Sequence, residues 1–528
     1  MNLETDSQRF WRTSELVDLL CKEASQGSLF SLALTSRNVS EHALDSLWRH
    51  LYSFEPLLAC LPDDLWREKE VTQISFEKPV PVLFPRRAIA PEELDRYRSF
   101  YASRIRTIAL STVGDVLLSF DALSALFTVS TLLGPDSLAP PKLQTLRLFL
   151  DPAESIHNFA MVTFLPIFVG KAEMEISTAM QAARQDVGLV ELAMEGKANL
   201  KTLAVSAYSR TEYGGGELWG FIRSQSWDTL ESLTLPELPP IAFLGALPKL
   251  KHLSAAHVAE IAYKYVPIEA RNSWFPCLEE LSLEAESFAP ICAVIKQLAP
   301  TNRIRTATFS ASDPAPALEV QRLIDTVQEH MRPDRLECLE LSNGELTDEQ
   351  VETLEPGPPE PEEPIDMEFP GSIDITSLRR FNKLSTLLVN TRQRVQMSPH
   401  DLSAIPLVWP AMRCLDLCET ALHGGTPLVD HTDVLRLVER LPALRWLGLP
   451  FDATRVRGTE ESARGPHHVL EMLRVRGSPI ASPSLVRTLM RRNFPNAKVD
   501  SRYSDPRLNH VGMYPQRWVV VEDALRRM

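Results

Sequence analysis

One arrangement of apolar and polar positions keeps returning along this chain: an apolar residue, two variable ones, an apolar residue, one variable residue and a third apolar one. It occurs at Ile105-Ile108-Leu110, Leu143-Leu146-Leu148, Leu200-Leu203-Val205, Leu230-Leu233-Leu235, Leu278-Leu281-Leu283 and Leu336-Leu339-Leu341. It returns at Leu384-Leu387-Val389, Met412-Leu415-Leu417 and Leu444-Leu447-Leu449, with degenerate copies at Leu250-Leu253-Ala255 and Ile304-Ala307-Phe309. The last two apolar residues are two apart, so they share one face of a strand, and the first turns the corner into it. A single strand of this kind cannot bury its apolar face, whereas stacked copies share a continuous core.

Between these phrases the apolar spacing becomes helical, as in Phe288 to Leu298, Leu318 to Val327 and Thr432 to Leu441, where Thr432 is the expected N-cap. Steps between the anchors Leu278, Ile304, Leu336, Leu384, Met412 and Leu444 are 26, 32, 48, 28 and 32 residues, enough for a strand plus a full helix. The long step contains an insertion, Glu352 to Ser372, rich in Pro, Glu and Gly, and this composition predicts a disordered acidic loop. The expected fold class is α/β: parallel strands on a concave side and helices on a convex side, occupying residues 67–493. Residues 494–528 lose the phrase and read as a cap.

The front of the chain differs. Three apolar bursts at helical spacing (Leu16, Leu19, Leu20; Leu29, Leu32, Leu34; Val39, Ala43, Leu44, Leu47, Trp48) are separated by Ser- and Gly-containing breaks. They predict three short helices within residues 1–66. So small a bundle cannot bury all these side chains against itself, and leftover apolar surface on such a module marks a docking face.

Composition narrows the partners. Against 55 basic side chains stand 69 acidic ones, a net charge of −14, which disfavours nucleic acid and an anionic membrane surface. Seven scattered cysteines include no C-x-x-C pair, the N-terminus has no basic segment followed by an apolar stretch, and no run of about 18 apolar residues occurs. An intracellular, soluble chain is expected, in cytoplasm or nucleus. Cys414, Asp416 and Cys418 alternate on one strand face, but thiols four residues apart on a strand are about 13 Å apart, too far for one zinc ion. Tyr213-Gly214-Gly215-Gly216-Glu217 has no following Lys-Ser/Thr, and His467-His468 has no third ligand. No catalytic residue, metal or cofactor is expected, and the chain reads as a binding protein rather than an enzyme.

The front segment, ending in Ala43-Leu44-Asp45-Ser46-Leu47-Trp48, resembles the F-box, and with the repeats the chain is similar to F-box/leucine-rich-repeat proteins, particularly a large divergent fungal family. Leu57 to Trp66 and Leu444 to Thr454 carry the same resemblance. It implies a substrate-recognition subunit of a cullin–RING (SCF-type) ubiquitin ligase, a monomer within that complex, joined through the ligase adaptor to the cullin scaffold. The adaptor contact and bundle core would use Leu16, Leu19, Leu20, Leu29, Leu32, Leu34, Leu47 and Trp48. A protein substrate would lie on the concave row that includes Arg147, Phe149, His252, Glu280, Glu284, Glu340, Asp416 and Trp446, whose middle leans acidic and suits a basic segment. Where an F-box usually opens with Leu-Pro, this chain has Arg12-Thr13-Ser14. The alternative reading is a leucine-rich-repeat scaffold with a degenerate F-box and no role in ubiquitin transfer.

Overall fold

Parallel strands that follow one another in the sheet in chain order dominate the computed structural model. It describes residues 10–71, 80–111, 117–134, 138–150, 173–180, 199–207, 227–245, 247–258, 274–313, 315–343, 371–391, 393–418, 426–501 and 513–526. The chain divides into two compact units, Met1–Pro236 and Glu237–Met528. Both are α/β, an arrangement compatible with a solenoid-like fold.

The first unit opens with three helices, α1 (Ser14–Glu23), α2 (Gln26–Thr35) and α3 (Arg37–Arg49). Thr13 takes the N-cap position of α1, and the Ser25 side chain caps α2 by accepting from the Ser28 N–H. A short strand, His50–Leu51, follows α3 directly and pairs in parallel with Thr107–Ser111. The helical front is thereby continuous with the sheet, which runs on through Thr145–Leu150, Glu173–Met180, Asn199–Ala207 and Ser232–Leu235. Trp66–Val71, Val80–Pro85 and Leu117–Leu118 form a separate three-stranded sheet.

In the second unit nine parallel strands lie in register: His252–Ala255, Glu280–Ala285, Thr306–Ala311, Cys338–Asn343, Thr386–Asn390, Cys414–Asp416, Trp446–Gly448, Met472–Arg474 and Lys498–Asp500. Alternation of buried and half-buried residues along them follows the period of two. The repeated phrase supplies the core. Its three apolar positions are buried in every copy except Leu143, which is half-buried, and Leu148, whose side chain lies outside the described set. The strands that were not expected include Met472–Arg474, which carries a full copy (Leu470-Leu473-Val475), and Glu173–Met180, where Met174 and Ile176 are buried without an apolar leader.

Helices follow several of the strands and bury one stripe each. Ala317–His330 buries Val320, Leu323, Ile324 and Val327, the i, i+3, i+4, i+7 set. In His431–Arg440 the N-cap is Asp430 rather than Thr432: the Asp430 carboxylate accepts from the Thr432 and Asp433 backbone N–H groups, an ionised cap stronger than a hydroxyl.

The residue after each phrase leader stacks on its counterpart. Arg305 N–H donates to Glu279 O, Glu337 N–H to Arg305 O, and Glu471 N–H to Arg445 O. Opposite charges then meet across the strands, with Arg305 2.9 Å from Glu337 and Lys201 beside both Glu173 and Glu231. At the end of the chain the helix Met513–Arg526 buries Trp518, whose Nε1–H donates to Ser478 O at 2.8 Å. The insertion Glu352–Ser372 lies outside the described residues apart from its end, where Ser372 opens a short strand, and residues 213–217 lie outside them entirely.

Candidate docking face and sheet surface

Helix α1 carries two apolar stripes. Val17 and Cys21 face a small shared core with Leu29, Val39 and Ala43, against which Ala24, Leu32, Ala33 and Leu47 pack. Leu16, Leu19 and Leu20 fall on a different face, because each step along a helix turns by about 100°. They are exposed (42%, 58% and 37%), as are Phe30 and Leu34 of α2 (59% and 74%). Of the eight residues expected to form core and contact surface, Leu29 is therefore core, Leu32 and Leu47 line it, and Leu16, Leu19, Leu20 and Leu34 point outward. Helical spacing identified the apolar residues of α1 but not which stripe turns inward; the smaller Val17 and Cys21 fit the tight core.

Trp48, the eighth residue, is half-buried and stacks on Tyr101 with ring centroids 4.1 Å apart. Beside it Arg104 reaches back to α3, with Nη2 2.6 Å from Glu41 Oε2 and Nη1 paired with Asp45. The third helix is thus clamped to the segment that precedes the strand Thr107–Ser111, which leaves the outer sides of α1 and α2 uncovered. Among the described residues these five side chains are large apolar groups left exposed on two consecutive helices, the kind of surplus that marks an interaction surface.

The variable face of the sheet presents a different picture from the expected acidic row. Asp416 is fully buried, not exposed. Its strand register is as expected, with Leu388 on one side and Gly448 on the other, followed by Arg474 and Asp500. Gly448 leaves a gap in that row, and a Cβ there would collide with Asp416 Oδ1. Through this gap Arg474 reaches over to Asp416, Nη1 to Oδ2 at 2.6 Å, while its Nε holds Asp500 Oδ2 at 3.0 Å and its guanidinium lies 5.3 Å from the Trp446 ring centroid. The Cys418 N–H donates to Asp416 Oδ1. Burial pushes the Asp416 carboxyl above its usual range, and the Arg474 charge opposes that shift. Neutralised in this way, Asp416 offers nothing to a basic partner.

Other members of the row are also occupied. His252 Nδ1 lies 2.8 Å from Glu280 Oε2, and Arg147 Nε donates to Glu175 Oε2 at 2.7 Å. The Cys338 thiol contacts Glu340 Oε1 at 3.7 Å and is pushed up to about 12, chiefly by burial. Glu284 and Trp446 are half-buried, and the side chain of Phe149 lies outside the described set. Cys414 is likewise raised to about 12 by burial, which makes it a poor source of thiolate at neutral pH. Of the charged members of the row, Arg147 pairs with Glu175 and His252 with Glu280 on the next strand, and Asp416 pairs with Arg474 two strands on.

Among the described residues no helix is long and apolar enough to cross a membrane, and no group of three or more His, Cys, Asp or Glu side chains could hold a metal ion. Compared with known proteins, the chain matches no family model and no curated sequence.

Proposed function

We propose that this chain is the substrate-receptor subunit of a cullin–RING ubiquitin ligase. Helices α1 and α2 dock the ligase adaptor, and the phrase-bearing strands, read as leucine-rich repeats, hold the protein to be modified, in cytoplasm or nucleus. One observation carries the reading: Leu16, Leu19 and Leu20 of α1 and Phe30 and Leu34 of α2 are exposed, while α3 is tied to the following segment through Trp48–Tyr101 and Arg104–Glu41. Each such side chain, once covered, contributes roughly 1.5–3 kcal/mol, so a handful suffices for a stable contact. The chain adds no chemistry of its own in this scheme; it raises the rate of transfer by making the encounter effectively intramolecular.

The test is co-expression of the full chain with the adaptor subunit. Wild type should retain the adaptor through purification. Leu16→Asp with Leu20→Asp should lose it, by a hundredfold or more in Kd on the order of 3 kcal/mol of forfeited burial, with the thermal midpoint unchanged because both residues are exposed. A variant that keeps the adaptor overturns the assignment. If the wild type itself fails to retain it, the second reading stands: a repeat scaffold with a degenerate F-box, favoured by Arg12-Thr13-Ser14 in place of Leu-Pro.

A further inference from the structure

Three arginines converge where the charge of the chain argues against it. Arg303, Arg332 and Arg335 line one cavity of about 320 Å³ in the second unit, together with Trp274, Phe275 and Asn302. The cavity lies along the turns that lead into three adjacent strands, Glu280–Ala285, Thr306–Ala311 and Cys338–Asn343. Its lining contains no carboxylate among the described residues, although the chain as a whole carries a net charge of −14.

The cavity is built, not incidental. Asn302 is buried and its Nδ2 donates to Ala299 O and His330 O, both at 2.9 Å, which fixes the turn that carries Arg303. Phe275 is the one non-glycine among the described residues in the left-handed region, at φ 51°, and it is almost wholly buried. A large side chain in that conformation is costly and persists where the surrounding structure demands it, commonly at binding sites.

The arginines already show how an anion is gripped. Asp334, just outside the lining, takes the Arg332 fork with Nε–Oδ1 at 3.0 Å and Nη2–Oδ2 at 2.7 Å, and Arg335 Nε is 3.8 Å from Oδ2. Among the described residues, three guanidiniums against one carboxylate leave a surplus of two positive charges. A phosphate monoester, at about −1.5 to −2 with three acceptor oxygens, matches both the charge and the donor forks, whereas a further carboxylate leaves one charge uncompensated.

We propose that this cavity is a binding site for a phosphate monoester, presented on a phosphorylated side chain of a protein partner. The site is built from residues of the second unit and uses none of α1 or α2, so it does not depend on the adaptor reading. It adds to that reading a condition under which the partner is held.

The test uses the full chain and a fluorescein-labelled peptide carrying one phosphoserine among Gly and Ala, with its unphosphorylated twin, followed by fluorescence polarisation. The phosphorylated probe should bind at least about tenfold tighter than its twin. Arg303→Ala with Arg335→Ala, both exposed positions, should remove that difference. Asp334→Asn should tighten binding severalfold by freeing the Arg332 fork. Competition by free O-phosphoserine as strong as the peptide's own affinity supports the site and assigns it to a small phosphate monoester instead. Equal binding of the twins, or no change in the double arginine variant, overturns the proposal. The same measurement on the Leu16→Asp, Leu20→Asp chain should be unaffected, which separates failure of this site from failure of adaptor docking.

Discussion

Replacing Arg474 with methionine should destabilise the protein by about 3–5 kcal/mol, because it leaves a buried carboxylate without its countercharge. Asp416 has no exposed surface, and besides pairing with Arg474 it accepts from the Cys418 N–H, two residues further along its own segment, at 3.1 Å. Methionine keeps most of the arginine stem and so isolates the lost charge from lost packing. Asp416→Asn placed on top of Arg474→Met should recover a large part of the loss, since removing both charges of a buried pair is far milder than removing one. The pH dependence follows from the direction of the Asp416 shift. Burial raises this carboxyl, so the folded state binds its proton more readily than the unfolded chain does. Stability from this group is then fullest below the ordinary aspartate range near 3.9 and declines as pH rises through the folded value. Arg474 opposes that decline in the wild type. The Arg474→Met deficit should accordingly be greatest at neutral pH and shrink on acidification, read from urea midpoints at pH 7 and pH 4.5. A deficit below about 1 kcal/mol, or one that grows on acidification, would show that solvent or another cation already compensates Asp416.

The Arg474–Asp416 pair also shows where reading the sequence stops. Placing Asp416 on the variable face of its strand needed only the alternation of the phrase, and that alternation is legible because one face is packed and the other is not. Its burial depends on Gly448 and Arg474, two residues in the next two repeats, 32 and 58 positions later. Stacking the copies one above another reveals the relation. The row reads Leu388, Asp416, Gly448, Arg474, Asp500, and a glycine between opposite charges is the signal. The same alignment exposes the basic–acidic alternation after the leaders of the middle copies (Lys201, Glu231, Lys251, Glu279, Arg305, Glu337), and it would have recovered Leu470-Leu473-Val475.

The front of the chain was legible to a different depth. Three helices followed from burst spacing, and surplus apolar surface followed from the size of the bundle. Which residues formed that surface did not, since Leu16 and Val17 differ by one step on the helix and only packing against Leu29, Val39 and Ala43 decides between them. The cation cavity carried no sequence signal in a single repeat. Arg303 lies in one turn and Arg332 and Arg335 in the next, and only the register of adjacent strands brings the turns together.

Truncating Phe309 to alanine should be the other large loss, about 3–5 kcal/mol, and a milder pair of substitutions tells why it is there. Phe309 has no exposed surface and stands in register between Leu283 and Leu341, in the copy whose middle position is Ala307 rather than leucine. Ala307 in turn lies between Leu281 and Leu339, two residues away on the same strand face. A small residue beside a large one fills the layer without leaving a void, so this copy departs from the phrase in two places that compensate each other. Phe309→Leu, which moves the copy toward the repeated phrase, should therefore destabilise by about 1 kcal/mol instead of stabilising. Ala307→Leu alone should cost about 1–3 kcal/mol by overpacking. The double substitution should cost less than the two single losses added together, a coupling of at least about 0.5 kcal/mol. If Phe309→Leu raises the unfolding midpoint, or the two changes are strictly additive, the bulk of Phe309 is unrelated to the smallness of Ala307. The irregular copy would then be a weak link in the core rather than a matched one.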